Sequence, residues 1–296
     1  MTSAPTPAET SERIATLLTS FKLPTASAEM VDRLTRAGQD EALPVVLDVL
    51  EHEAADRRGR RVERLRRASR LPPGKTFETL QPGRLPKPLM AKLRTLGSGQ
   101  FVEEAQNVLC FGLPGVGKTH AACALGEALV REGYSVCFTP TYQLVQELLA
   151  AKRDLCLPRL LRRYDVFEVL ILDDLGYVQQ SPEEAEVLFT LLAERYERRS
   201  IVLTSNLVFS QWDRIFRNPM TTAAAVDRLV HHAVVLEFVE VQSFRSEKAR
   251  ARNGARDNND NKEVSQKGDD NDNNGINKSA TDRAIPTSTP DHDRQE

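Results

Sequence analysis

Apolar positions recur at helical spacing through the first seventy residues. Leu17, Leu18 and Phe21 form one set, Met30, Val31 and Leu34 a second, and Leu43, Val46, Leu47 and Leu50 a third. Steps of three and four residues put each set on one face of a helix. Three such helices make a small bundle with a modest core, preceded by a loose Pro/Ala/Thr-rich start over residues 1–8. The third helix is expected to continue to about Arg70, where Pro72-Pro73-Gly74 ends it. Beyond Gln106 the pattern changes. Short Leu- and Val-rich runs at 108–111, 135–139, 169–172, 201–204 and 234–239 alternate with helical runs near 118–131, 141–155, 182–199 and 222–232. Strands that are apolar at nearly every position need cover on both faces. The alternation therefore predicts an α/β fold, a parallel sheet between helices. Four segments follow: a helical N-terminal domain over 1–71, a linker over 72–100, the α/β domain over 101–250 and a tail over 251–296. The linker is expected to wrap onto the second domain, with a short helix around Leu89–Leu93 and with Phe77 and Leu80 as anchors. The tail, dominated by Asn, Asp, Ser, Thr, Lys and Gly, cannot bury enough surface to offset its chain entropy and is expected to be disordered.

Composition changes this picture little. Of 296 residues, 40% are hydrophobic, enough for a real core, but only 6% are aromatic, so core volume must come from aliphatic side chains. The first twenty residues do not read as a signal peptide, and no apolar stretch approaches a membrane span; the chain reads as cytosolic, without a membrane partner. Cys110, Cys123, Cys137 and Cys156 form no Cys-x-x-Cys pair and read as small buried hydrophobes. Net charge is −2, yet the third helix carries eight arginines against two acids between Asp56 and Arg70. Such a field suits phosphate backbones or an acidic protein partner; the plain alternative is a solvated helix face. Arg57, Arg58, Arg60, Arg61, Arg64 and Arg67 are the candidate DNA contacts.

The chemistry concentrates between residues 112 and 119. Gly112-Leu-Pro-Gly-Val-Gly-Lys-Thr119 fits G-x-x-x-x-G-K-[ST], between an expected strand and an expected helix. Glycines let backbone N–H groups turn inward around phosphate oxygens, and a helix N-terminus follows. Gly112, Pro114, Gly115, Val116, Gly117, Lys118, Thr119 and His120 are the expected nucleotide contacts. Lys118 would reach the β- and γ-phosphates of ATP, and the Thr119 hydroxyl would hold Mg²⁺. The run Val169-Leu-Ile-Leu-Asp-Asp174 is a strand ending in two carboxylates. Asp173 is placed at the metal and Asp174 at the attacking water, against the alternative of an Asp-containing turn. Asn206, ending a strand, suits either the γ-phosphate and attacking water or an Asx-turn or helix cap. Arg228 suits either a surface salt bridge or an arginine finger aimed at a neighbouring subunit's ATP. Arg245 suits nucleotide contact within its own subunit. For the pair His231-His232, Glu237 is the only acid or thiol at ligand spacing, too little to assign a metal. Trp212 and Phe216 are expected to pack a loop over the sheet.

The phosphate loop, Leu172-Asp-Asp-Leu-Gly176, Thr204-Ser-Asn206, Asp227-Arg-Leu229 and Ser243-Phe-Arg245 together resemble the IstB-like ATPases. These are helpers of insertion-sequence transposases, similar to the DnaC-type helicase loaders. The resemblance spans roughly residues 40–250. It implies an AAA+ P-loop NTPase that assembles on double-stranded DNA as an ATP-bridged oligomer, hydrolyses ATP between subunits and assists a partner transposase. It makes Asn206 the γ-phosphate sensor, Arg228 the trans-acting finger and Arg245 a second sensor, and it marks the Arg-rich helix as a DNA or transposase contact. Asp174 departs from the Glu of most AAA+ enzymes. The alternatives are a loader of a replicative helicase, or a nucleotide-gated adaptor with little turnover.

Overall fold

The computed structural model of the chain describes residues 6–80, 83–176, 180–216 and 219–239. The tail over 251–296 lies outside them, as does Arg245. Three helices open the chain: α1 (Pro7–Ser20), α2 (Pro24–Arg36) and α3 (Leu43–Ala68). Thr6 and Glu9 form a reciprocal capping box that fixes the start of α1. Ile14 and Leu18 of α1 meet Leu43 and Leu47 of α3 in a small buried core, with Met30, Val31 and Leu34 of α2 half-buried against it.

After its first turns α3 leaves that core. At 26 residues it is about 39 Å long. It ends at Ala68, earlier than the prolines at 72 and 73 predict. Ser69 donates its N–H back to Leu65 and Arg66, and Arg70 turns the chain with φ +56°. The stop is therefore a left-handed residue, with the prolines lying beyond it. Further on come α4 (Lys87–Leu96) and α5 (Gln100–Glu103). The linker does lie on the second core: Leu80 is buried in it and Phe77 packs against it.

The remaining elements run β1 (Asn107–Phe111), α6 (Lys118–Glu132), β2 (Val136–Pro140), α7 (Thr141–Arg153), α8 (Leu157–Asp165), β3 (Val169–Leu175), α9 (Pro182–Arg195), β4 (Ser200–Ser205), α10 (Asp213–Phe216), α11 (Pro219–Val230) and β5 (Ala233–Glu237). The strands form one parallel sheet in the order β2-β3-β4-β1-β5. Side chains alternate between its faces. Val108, Cys110, Val169 and Ile171 join α4 and α6 on one side; Leu109, Phe111, Leu170 and Leu172 join α7 and α9 on the other. Burying each such aliphatic chain contributes about 1.5–3 kcal/mol, which offsets the ordering of a double-sided sheet. The free edge of β2 is partly closed by the end of α3, since Phe138 donates its N–H to Ser69 O at 2.7 Å.

Helix α8 has no counterpart in the sequence reading. Its nine residues begin with a proline in the first turn and carry Arg159, Arg162 and Arg163, which hides a short apolar stripe. Three cysteines are buried as expected, and burial pushes the Cys110 and Cys123 thiols up to about 12. Cys156 departs from the expectation: it lies exposed just before α8. Trp212 is fully buried over the sheet, donating to Leu207 O at 3.1 Å and packed edge-on to Phe209.

Candidate nucleotide site

The loop between β1 and α6 is shaped by its glycines. Gly115 and Gly117 adopt φ +85° and +98°, a region that side-chain-bearing residues rarely enter, and Gly117 caps α6. At Gly112 the constraint is space: a Cβ there would sit 2.8 Å from Phe238 Cβ. The first N–H groups of α6 are thereby left to face an anion. Lys118 is buried, and its Nζ donates to Gly112 O at 2.7 Å and Leu113 O at 2.9 Å. The ammonium is thus parked across the loop, on carbonyls that a phosphate can replace.

The two carboxylates sit on a β-bulge. Leu172 pairs with Leu203 but Leu175 with Ser205, so β3 carries one extra residue at Asp173–Asp174. Asp174 adopts φ +62°, and the bulge sends the two side chains to different surroundings. Asp173 is turned inward: its Oδ1 accepts from Thr204 Oγ1 at 2.7 Å, and the Thr119 side chain is near enough to favour its charged form. The same Thr204 hydroxyl accepts the Asp174 N–H at 2.9 Å, and Thr141 Oγ1 donates to Asp173 O at 2.9 Å. The Asp174 carboxyl stays exposed.

Burial raises the proton affinity of Asp173, opposed by the Thr204 and Thr119 hydroxyls and by the Lys75 charge, and reinforced by Asp174. A carboxyl raised on folding favours the fold below its unfolded value, and that contribution is lost as pH rises through the folded value. At neutral pH its charge is therefore a liability. Asp173→Asn keeps an acceptor for Thr204 and is expected to raise the melting temperature at neutral pH in nucleotide-free protein. A thermal scan showing a lower midpoint would contradict this.

Asn206 follows β4. Among the described residues its buried Oδ1 has no hydrogen-bond partner, and it caps no helix. Ser205 makes the local turn instead: its Oγ donates to Leu175 O at 2.8 Å and accepts the Leu207 N–H at 3.1 Å. An unsatisfied buried acceptor beside a strand end fits a water or a ligand donor. His120, expected at the nucleotide, is engaged by the linker, with Nε2 3.1 Å from both Thr79 Oγ1 and Thr76 O.

Arg228 makes no ion pair among the described residues. Its Nη1 donates to Ala224 O at 3.0 Å, and its guanidinium lies 4.8 Å from the Phe189 ring centroid. Its backbone carbonyl is 3.5 Å from Asn107 Nδ2, at the start of β1. The glycine loop begins after the other end of that strand, roughly 13 Å away. Arg228 therefore sits at the wrong end of its own sheet for its own nucleotide.

The Arg-rich helix is docked as well as exposed. Arg58 pairs with Glu132 at 3.6 Å, Arg61 donates to Gly133 O at 3.1 Å, and Arg66 lies 3.6 Å from Glu127, all on or beside α6. Arg57 and Arg60 share Glu53, Arg57 lies over the Phe21 ring, and Arg67 pairs with Glu63. Arg64 is exposed. Sequence reasoning gave Thr204 no role of its own and missed Thr141. A buried strand ending in Thr-Ser was a signal for the first; nothing local marked the second.

The strand order, with β4 between β1 and β3, the glycine loop leading into α6 and the inward acid at the end of β3 define a P-loop protein of the AAA+ type. Among the described residues no helix is long and apolar enough to cross a membrane. The chain belongs to the IstB-like ATP binding proteins, whose family model matches residues 16–252. It is 41% identical over 241 residues to a Sinorhizobium fredii (strain NBRC 101917 / NGR234) protein named for an insertion sequence and for ATP binding, covering 80% of each chain. A similarly named protein of insertion sequence IS21 from Pseudomonas aeruginosa is 40% identical over 205 residues, covering 68% of this chain and 76% of that one. A crystal structure of the DnaC helicase loader aligns with 23% identity and a TM-score of 0.44, over 55% of this chain and 96% of that one.

Proposed function

We propose that this protein is an ATPase that works on double-stranded DNA for a partner transposase, its active site completed by a neighbouring subunit. One observation carries the reading: Lys118, Thr119 and Asp173 converge where β1 and β3 end, beside a nest of backbone N–H groups. ATP displaces the Lys118 ammonium from its carbonyls onto the phosphates. Magnesium, when bound by Thr119 and Asp173, supplies charge that offsets the phosphate oxygens. Asp174, exposed and held by the bulge, takes the proton side of the attacking water, and the open Asn206 acceptor orients that water. Arg228 enters from the next subunit, and Arg245 contacts nucleotide in its own. The names of the relatives support the link to insertion sequences.

Lys118→Ala is expected to abolish binding of a fluorescent ATP analogue and to lower turnover at least about a hundredfold. Wild-type turnover in that variant would overturn the site. Asp173→Asn should bind nucleotide yet lose magnesium-dependent hydrolysis to a similar extent.

The arginines of α3 form the DNA face. Their ion pairs are largely solvent-exposed and worth little, so phosphates can replace them. Affinity for duplex DNA is expected to fall steeply with salt, with a log–log slope of about −0.9 per phosphate contacted. Arg64→Glu should make that slope shallower by about one. An anisotropy titration that is flat across salt would remove α3 from the interface. Stronger binding to single strands than to duplex would favour helicase loading over target binding.

A further inference from the structure

Three side chains meet at the end of the sheet remote from the glycine loop. Glu197 lies in the turn between α9 and β4; His231 and His232 join α11 to β5. Glu197 Oε1 is 4.0 Å from His231 Nδ1 and 4.0 Å from His232 Nε2. The three ligand atoms lie within 4.8 Å of one another, and all three residues are exposed. Glu237, the acid that sequence spacing offered to this pair, is at the other end of β5, paired with Phe111. A residue from another turn takes its place, brought in by the β4-β1-β5 pairing.

The backbone beneath the cluster is fixed by a single buried residue. Asn107 donates its N–H to His232 O at 2.9 Å and its Nδ2 to Leu229 O at 3.1 Å. Its Oδ1 accepts the Ile201 N–H at 2.9 Å, four residues beyond Glu197. Both ligand-bearing turns are thus stapled to the start of β1. Glu197 itself adopts φ +55°, a left-handed turn that sets where its side chain leaves the backbone.

Two imidazoles and one carboxylate are a ligand set for Zn²⁺ and its neighbours; Mg²⁺ and Ca²⁺ prefer oxygen alone. Around Zn²⁺, with bonds of about 2.0–2.2 Å, tetrahedral ligands sit roughly 3.4 Å apart. Rotation of exposed side chains closes the observed 4.0 Å gaps to that spacing. The Tyr196 hydroxyl, now 3.2 Å from His231 Nδ1, gives up that nitrogen. The carbonyl end of α11 adds a favourable potential for a cation.

We propose that Glu197, His231 and His232 bind one divalent transition-metal ion of the Zn²⁺ class, with water completing its coordination. The ion ties the end of α11 to the turn before β4. It is independent of nucleotide, and it braces the helix that carries Arg228.

The test is a Zn²⁺ titration of the full chain, without nucleotide, against a chromophoric chelator. One equivalent bound with a dissociation constant on the order of micromolar is expected, accompanied by a higher melting temperature. Glu197→Gln should weaken that equivalent at least about tenfold, and His231→Ala with His232→Ala should remove it. Cys156→Ser, which removes the exposed thiol, should leave it intact. All three ligands are exposed, so melting of the metal-free variants should match wild type and separates ligand loss from misfolding. Failure to bind Zn²⁺ below about millimolar concentration would overturn the site. So would an equivalent that survives the double histidine change, or one that disappears in Cys156→Ser.

Discussion

Arg228→Ala is expected to lower ATP turnover by about 10³-fold or more while leaving nucleotide binding at the wild-type level. Arg228 is held at the end of β1 where the strand begins, with its carbonyl 3.5 Å from Asn107 Nδ2. The phosphate loop is at the far end of the same strand, so removing the guanidinium leaves Lys118 and Thr119 undisturbed. Its present contacts, a carbonyl one turn back and the face of Phe189, are modest and easily exchanged for a phosphate. A residue acting across an interface also permits complementation. Mixing Arg228→Ala with Lys118→Ala subunits pairs an intact loop with an intact finger at roughly a quarter of interfaces in a random cyclic assembly, so activity should reappear on mixing. A steady-state ATPase assay on each variant and on the mixture decides the point. Silence in the mixture would place Arg228 outside the reaction, or within its own subunit's site.

The second large effect concerns stability. Arg195, at the end of α9, is 1% exposed yet charged. Its Nη1 donates to Tyr164 O at 3.1 Å, and its Nη2 reaches Phe167 O at 3.0 Å, Glu168 O at 3.3 Å and Ser200 O at 3.0 Å. One guanidinium thus gathers carbonyls from the end of α8, the approach to β3 and the start of β4. Burial lowers its proton affinity, chiefly by desolvation, to a value of about 10, so it stays protonated at neutral pH. Arg195→Met fills much of the volume but removes the charged donor from all four carbonyls; Tyr164 O and Glu168 O keep backbone N–H partners, while Phe167 O and Ser200 O lose the guanidinium. A loss of about 3–5 kcal/mol is expected, as for breaking a buried charged network. At this chain length the melting midpoint should fall by roughly 10 °C. Urea unfolding with an unchanged midpoint would mean that water replaces the arginine without cost.

Much of the fold was legible because its signals are local. Each strand of the sheet is a short aliphatic run, and the phosphate loop is a contiguous set of residues whose conformations glycine dictates. Strand order was not legible, because it depends on pairings between segments far apart in the chain. The same limit explains the site. Asp173 and Asp174 could be placed at a strand end, but the bulge that gives them different surroundings exists only against β4, where Thr204 bonds both residues. The arginine run was readable as charge. That Arg58 and Arg61 would spend themselves on Glu132 and Gly133, some seventy residues away, was not. For Asn206 the competing cap was removed by a neighbour, Ser205, which makes the turn that the asparagine was free to make.

The path of α3 has a mechanical consequence. A rod pinned at both ends passes displacement on instead of absorbing it. One end of α6 is the lip of the phosphate loop; its apolar face shares a core with Val62 and Leu65, midway and late along a continuous helix whose first turns, Leu43 and Leu47, are set in the N-terminal core. A tilt of α6 by even a few degrees at the lip would swing those first helices through ångströms, like the blade of an oar.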